Sequence, residues 1–291
     1  MTNVAANIVH SGKPSRTALR VATLRAAHQL LDEPIVFEDA VALPILGKDL
    51  AQSVQQDPFQ FNDPMQRGLR AASVLRSRIA EDVLSQAVAS GVSQYVVLGA
   101  GLDTFAYRNP HRARGLRIFE VDHPSTQSWK KTLLDEAGIP EPPELTFAPA
   151  DFETITLQDS LIAAGFRMDQ PACFSWLGVT HYLTEQAVLN TLRFVASLPA
   201  GTSMTFDFRV LPELLNPIDR VLMDYLAQYF SAMGESWQSA FDPAALQTVL
   251  LEMGFASATE ITAATLNFRY LSRRKDGLHV GGGFRMMQAN R

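Results

Sequence analysis

Cysteine is almost missing from this chain. Cys173 is the one thiol among 291 residues, so an intramolecular disulfide is excluded and a reducing, cytoplasmic setting is expected. It sits in the apolar run PACFSWL, where a buried inert thiol is expected. The six histidines are scattered without HxxxH or HExxH spacing or partner cysteines, so no metal site is expected. No uninterrupted apolar run reaches the roughly 18 to 20 residues of a spanning helix. Charge is thin: 19% of residues, a formal net of -5, and basic side chains spread along the chain. That pattern argues against a nucleic-acid or anionic-membrane partner. What is plentiful is apolar, 47% of residues, too much for a disordered or fibrous protein and enough for a sizeable core.

Lys13, Arg16, Arg20 and Arg25 precede the first acid, Asp32. Leu19, Ala22, Ala26 and Leu30 fall on one helical stripe among them, so a structural amphipathic helix is expected in place of a transit peptide. A Pro- and Asp-punctuated stretch follows to Asp63. Leu75, Ile79, Val83 and Ala87 then mark a helix over Ser73–Ser90, stopped by Gly91. From Gln94 onward short apolar runs alternate with helical segments. QYVVL, LRIFEV, LTFAP, ACFSWLGV and TSMTFDFRV read as five strands, with Pro124 at one helix start and Gly138 past its end. Such alternation builds right-handed βαβ units and a parallel sheet. It breaks after Val210, resumes at Asp242-Pro243, and leaves Phe255–Ile261 and Gly283–Gln288 as two last strands. One α/β domain is expected, with 1–72 as an N-terminal helical cap, 73–210 as a core, 211–241 as an insertion and 242–291 completing the sheet.

The first strand runs into VVLGAGLDTFAYR, Val96 to Arg108. In an open parallel sheet, ligands bind at the carboxyl ends of strands where strand order reverses, which is where this loop falls. A dinucleotide fingerprint requires a third glycine, and Thr104 holds that position; there is no Walker lysine either. About twenty residues on, FEVD ends the second strand, and Asp122, ahead of Glu120, is the candidate to accept hydrogen bonds from both hydroxyls of a ribose. Asp151, after the third strand, can reach an adenine amino group, with Phe152 beside it. Ribose and adenine recognition without a pyrophosphate loop suits an adenosine joined to something other than phosphate, and S-adenosylmethionine fits that description. Asp103 is expected to fix the loop backbone and to take no part in chemistry.

These residues resemble the leucine carboxyl methyltransferase-like family of S-adenosylmethionine-dependent O-methyltransferases. The similarity rests on RTALRVATLRAAH (16–28), RSR (76–78), GVSQYVVLGAGLDT (91–104), FEVDHP (119–124), ADF (150–152) and SWLGVTHYLT (175–184). It implies a class I methyltransferase fold, Rossmann-like, with a seven-stranded, mostly parallel sheet whose last strand is antiparallel and helices on both faces. It also implies that Arg78 clamps the methionine carboxylate, that Gly99, with Ala100 and Gly101 behind it, lies against the methionine portion, that Asp122 holds the ribose, and that Asp151 and Phe152 flank the adenine. Arg16, Arg20 and Arg25 come near the site if the first helix folds over it as a lid.

Two departures from the family pattern bear on the acceptor. Members acting on a protein's C-terminal leucine carry a Glu where this chain has Leu177 beside Trp176, and Phe105 stands where relatives often have Arg. A small-molecule acceptor is therefore expected, a carboxylic acid ahead of a hydroxyl, with a specialised metabolite among the candidates. A carboxylate needs no general base; a hydroxyl does, and His181, after the fourth strand, is the catalytic candidate for that role. Tyr225, Tyr229, Phe230 and Trp237 in the insertion either line an acceptor pocket or pack the insertion down. Two other classes remain alongside: an NAD-dependent oxidoreductase, disfavoured by Thr104, and a non-catalytic protein that senses S-adenosylmethionine.

Overall fold

The computed structural model describes residues 15–150 and 156–291. Nine helices are seen among them: α1 (Arg16–Leu31), α2 (Lys48–Gln56), α3 (Pro64–Ala89), α4 (Pro124–Glu136), α5 (Leu157–Ala163), α6 (Glu185–Ala196), α7 (Pro217–Ala232), α8 (Pro243–Glu252) and α9 (Ala263–Leu271). The strands are β1 (Gln94–Leu98), β2 (Arg117–Asp122), β3 (Leu145–Pro149), β4 (Cys173–Trp176), β5 (Ser203–Arg209), β6 (Ser257–Ile261) and β7 (Phe284–Asn290).

They form one sheet in the order β3-β2-β1-β4-β5-β7-β6. The pairs among β1 to β5 are parallel, and β7 runs antiparallel to both β5 and β6. The order reverses between β1 and β4, where a ligand crevice belongs in a doubly wound sheet. The expected seven-stranded, mostly parallel fold is the one found.

Both faces of the sheet are covered, which is why its strands read as continuous apolar runs. In β1, Val96 and Leu98 pack with Phe119, Val121, Phe174 and Trp176 in one core. Tyr95 and Val97 point to the opposite face, against Leu75, Ile79 and Val83 of α3, Ile118 and Cys173. The thiol of Cys173 is buried and pushed up to about 12 by desolvation, so it is inert near neutral pH. A third cluster joins Ala22 and Ala26 of α1 to Ile45, Val54 and Leu134. A fourth seats Met223, Leu226 and Phe230 of α7 against Met65, Leu69 and Phe284.

The helix expected over Ser73–Ser90 begins nine residues earlier. Asp63 accepts from the backbone N–H groups of Met65 and Gln66, and Pro64 takes the first helical position, a complete N-terminal cap. Helix α9 fills a stretch left unassigned from the sequence; Thr262 caps it by accepting from Thr265 N. No helix among the described residues is long and apolar enough to cross a membrane.

Candidate active site

A large cavity opens at the carboxyl ends of β1, β4 and β5, roofed by α1 and walled by α3 and the 211–241 insertion. The glycine loop forms its floor. Gly99 and Ala100 both donate their N–H groups to Val121 O, at 2.8 and 3.1 Å, curling the chain over the end of β2. Gly99 and Gly101 adopt positive φ, +63° and +49°, and both are closely approached: a Cβ on Gly99 would lie 2.4 Å from Val179 Cγ2, and one on Gly101 3.1 Å from Ala18 Cβ. At Gly99 a side chain is excluded by geometry as well as by backbone conformation, and at Gly101 the positive φ is joined by a tight approach.

Asp122 lines the cavity and ties loop to strand. Its Oδ2 accepts from Gly101 N at 2.6 Å, and Oδ1 accepts from His123 N at 2.7 Å. Burial raises its carboxyl above the usual carboxylate range, opposed by those two backbone hydrogen bonds. Glu120 does not join it. That side chain is buried with Lys130 Nζ at 2.6 Å, its carboxyl pushed up to about 7 by desolvation. Asp103 holds the loop: its N–H donates to Ala100 O at 2.7 Å, and its Oδ1 accepts from Phe105 N at 2.8 Å. Thr104, in place of a third glycine, is fully buried and donates to Asp39 Oδ2 at 2.6 Å. The dinucleotide pattern therefore fails at a position where this loop needs a hydroxyl.

Arg78 does not line the cavity. Its Nε donates to Asp82 Oδ1 at 2.9 Å and its Nη1 to Val36 O at 3.1 Å, with 44% of the side chain exposed. Of the two, it is Arg76 that lines the cavity, two positions earlier and thus about 200° round the helix. Its Nη1 lies 3.2 Å from Asp207 Oδ2, while Asp207 Oδ1 accepts from Gly178 N at 2.6 Å. The distinguishing signal was in the sequence: Arg78 has Glu81 and Asp82 at its i+3 and i+4 positions, a charged face, whereas Arg76 has Ser73 and Ala80 at i−3 and i+4. Asp207 had no such signal, because its role depends on a partner 131 residues away.

His181 lines the cavity and is 4% exposed, buried where a loop histidine would be exposed. Tyr182, Phe284 and Trp237 surround its ring at centroid distances of 4.3, 5.4 and 5.5 Å. Desolvation, reinforced by the charges of Arg76 and Arg209, holds the imidazolium pKa well below its ordinary value, so the ring is neutral near pH 7. Its Nδ1 has no hydrogen-bond partner among the described residues. In the insertion, Phe230 and Trp237 reach the cavity, Tyr229 accepts from Arg20 Nη1 at 2.8 Å, and Tyr225 is exposed.

Helix α1 does fold over the site. Arg25 Nη2 donates to Leu102 O at 2.6 Å, and its Nε lies 3.3 Å from Asp39 Oδ2. At the other end Glu235, fully buried and unforeseen from the sequence, accepts from Arg16 N at 3.0 Å. Asp151 and Phe152 lie outside the described residues, and among the described residues no group of three or more His, Cys, Asp or Glu is placed to hold a metal ion.

The family model described as leucine carboxyl methyltransferase matches residues 18–196 of this chain. YktD of Bacillus subtilis, named as an S-adenosyl-L-methionine-dependent methyltransferase, is 30% identical over 293 residues, covering 93% of this chain and 95% of that protein. A protein of the same description from Frankia alni is 32% identical over 206 residues, covering 70% and 71% of the two chains. Among solved structures, a methyltransferase from Thermobifida fusca superposes with a TM-score of 0.57 at 17% identity, over 96% of each chain. A DUF574 family protein from Streptomyces avermitilis gives 0.51 at 15% identity, over 85% of this chain and 94% of that one. These two speak to the fold alone.

Proposed function

Because the chain belongs to the leucine carboxyl methyltransferase family and is therefore a methyltransferase dependent on S-adenosylmethionine, we propose that its acceptor is a small-molecule carboxylic acid, converted to a methyl ester. The observation that carries this reading is the neutral, desolvated imidazole of His181 in the cavity wall, with cationic Arg76 also lining that cavity. Desolvation of its cationic form makes the imidazole a weak base for a hydroxyl, whereas a carboxylate is already ionised and needs no proton removed.

The residues present fit the cofactor. Gly99, Ala100 and Gly101 line the cavity with backbone and no large side chain, and Asp122 lines it at the end of β2. On this reading Asp122 holds the ribose hydroxyls, Gly99, Ala100 and Gly101 offer backbone to the methionine portion, and Arg76, in place of Arg78, forks onto its carboxylate. The family resemblance leaves Asp151 and Phe152 to the adenine. Residues 73–210 serve the cofactor, while 1–72 and 211–241 shape the acceptor side and exclude water. When bound, S-adenosylmethionine would supply a sulfonium-activated methyl group, with sulfur keeping the S–C electron pair, so that an acceptor already ionised would need no proton removed. The protein's own task is alignment and the exclusion of water.

Incubating the protein with methyl-labelled S-adenosylmethionine and a small-molecule extract of the host tests this. The labelled product is expected to lose its label as methanol in mild base, as an ester does; a base-stable product would turn the assignment to a hydroxyl acceptor. In parallel, S-adenosylmethionine and not NAD is expected to raise the melting temperature.

The specific observation favouring a hydroxyl is the unpartnered Nδ1 of His181. His181→Gln separates the two readings. Transfer is expected to stay within about threefold of the parent protein, whereas loss of a general base would slow it about 100-fold or more.

A further inference from the structure

Four arginines line the cavity: Arg20, Arg25, Arg76 and Arg285. Three have carboxylate partners, Arg25 with Asp39 at 3.3 Å, Arg76 with Asp207 at 3.2 Å and Arg285 with Glu260 at 3.0 Å. Arg20 differs. Its Nη1 donates to Tyr229 Oη at 2.8 Å and its Nη2 to Gln66 Oε1 at 2.9 Å, both neutral acceptors. Its Nε is buried without a hydrogen-bond partner, and no carboxylate lies within ion-pair distance of it among the described residues. A guanidinium taken partly out of water without a counter-charge is costly, and an anion that completes it recovers that cost.

We propose that Arg20 binds a second anionic group on the acceptor, so that the substrate is an apolar-bodied diacid: one carboxylate is methylated, and the other rests on Arg20. This deepens the carboxylate reading above and rests on it. Position separates Arg20 from the cofactor end. Ala18 faces Gly101, and Arg25, seven residues on, meets Leu102 O on the same side of α1. Arg20 lies about 200° round the helix from Ala18 and reaches α7 and the first turn of α3. Its partner Gln66 precedes Arg76 by ten residues on α3, which spaces the two positions about 15 Å apart along the helix axis. Leu69, Phe230 and Trp237 supply apolar lining for a substrate body. The Tyr229 ring, its centroid 5.0 Å from Cζ, and the two hydrogen bonds together fix the orientation of the guanidinium, whose terminal nitrogens each keep a second N–H.

Binding of dodecanedioate and dodecanoate to the protein loaded with S-adenosylhomocysteine tests the proposal by calorimetry, without relying on turnover. The diacid is expected to bind at least about tenfold more tightly than the monoacid, a step of roughly 1.4 kcal/mol. Arg20→Gln is expected to erase that preference, and Arg20→Lys to keep part of it, while both leave the affinity for S-adenosylhomocysteine within about twofold. Equal binding of the two probes to the parent protein, or a preference that survives in Arg20→Gln, overturns the proposal. So does a weakened affinity for S-adenosylhomocysteine in both variants, which would assign Arg20 to the cofactor's own carboxylate. A parent protein that fails to bind S-adenosylhomocysteine at all would instead sink the functional reading, and a diacid preference without ester formation would remove the carboxylate chemistry while leaving the anion site standing.

Discussion

Gly99→Ala is expected to raise the dissociation constant for S-adenosylmethionine at least about 100-fold, a change of about 2.7 kcal/mol. Two costs combine at this position. The backbone sits at φ +63°, where an L side chain costs about 1 to 2 kcal/mol. The added methyl would also lie 2.4 Å from Val179 Cγ2, a distance that no rotamer of alanine can relieve because its Cβ is fixed by the backbone. The loop must therefore shift, and with it the two N–H groups that grip Val121 O and the one that grips Asp122. Pairing the change with Val179→Ala removes the clash and leaves the backbone strain, so the double variant is expected to recover about tenfold of the lost affinity. Calorimetric titration measures both. A Gly99→Ala protein that binds within threefold of the parent would refute the placement of the cofactor on this loop.

Asp32→Asn is expected to lower the free energy of unfolding by about 3 to 5 kcal/mol at pH 7, the range for breaking a buried ion pair by removing one partner. Asp32 lies at the junction of three hydrogen bonds. Arg70 grips it in a fork, Nε to Oδ2 at 2.7 Å and Nη2 to Oδ1 at 2.9 Å. His28 Nε2 accepts from the N–H groups of Val36 and Phe37, so its proton sits on Nδ1, which donates to Asp32 Oδ2 at 2.6 Å. All three side chains are at most 5% exposed. Burial pushes the Asp32 carboxyl upward, but the hydrogen bonds from His28 and Arg70 and the charge of Arg70 outweigh it and hold the pKa below its ordinary value. A folded pKa depressed in this way contributes stability above the unfolded value of about 3.9, and that contribution fades as pH falls through the folded one. The gap between parent and variant in urea unfolding should therefore be constant from pH 6 to 8 and narrow below about pH 4. A loss under about 1 kcal/mol at pH 7 would show the network to be dispensable.

Local chemistry was legible in the sequence where one segment carried both sides of an interaction. Asp242-Pro243 read as a helix start, and the helix begins there with Asp242 accepting from the N–H groups of Ala244 and Ala245. The same Asp-Pro signal stands at Asp63-Pro64, but apolar periodicity starts only in the next turns, so periodicity alone places the start of α3 nine residues late. Asp103 as a loop-fixing residue was likewise a local matter, a carboxylate accepting two residues ahead. The site's other features were non-local. His181 lies on a turn, and what buries it, Trp237 and Phe284, arrives from 56 and 103 residues further along the chain. Glu235 meets the start of α1 across 219 residues, and no spacing rule connects the two. Which of Arg76 and Arg78 faces the cavity is a question of helix face, and the charged neighbours Glu81 and Asp82 mark the outward side that carries Arg78.

The antiparallel β7 carries a consequence for the order in which this protein can be assembled. Strand β6 precedes β7 in the chain, yet it reaches the sheet only through it, because β7 pairs with β5 along seven residues and with β6 along five. During synthesis β1 to β5 can pair as they emerge, while one edge of β5 stays open and β6 has nothing to pair with until residues 284–290 arrive. Contacts so distant in sequence are slow to close, and an unpaired strand edge is prone to wrong partners in the meantime. A nascent chain arrested before residue 284 should therefore expose β5 to chaperones and proteases, and release of the last strand should be the step that seals the sheet.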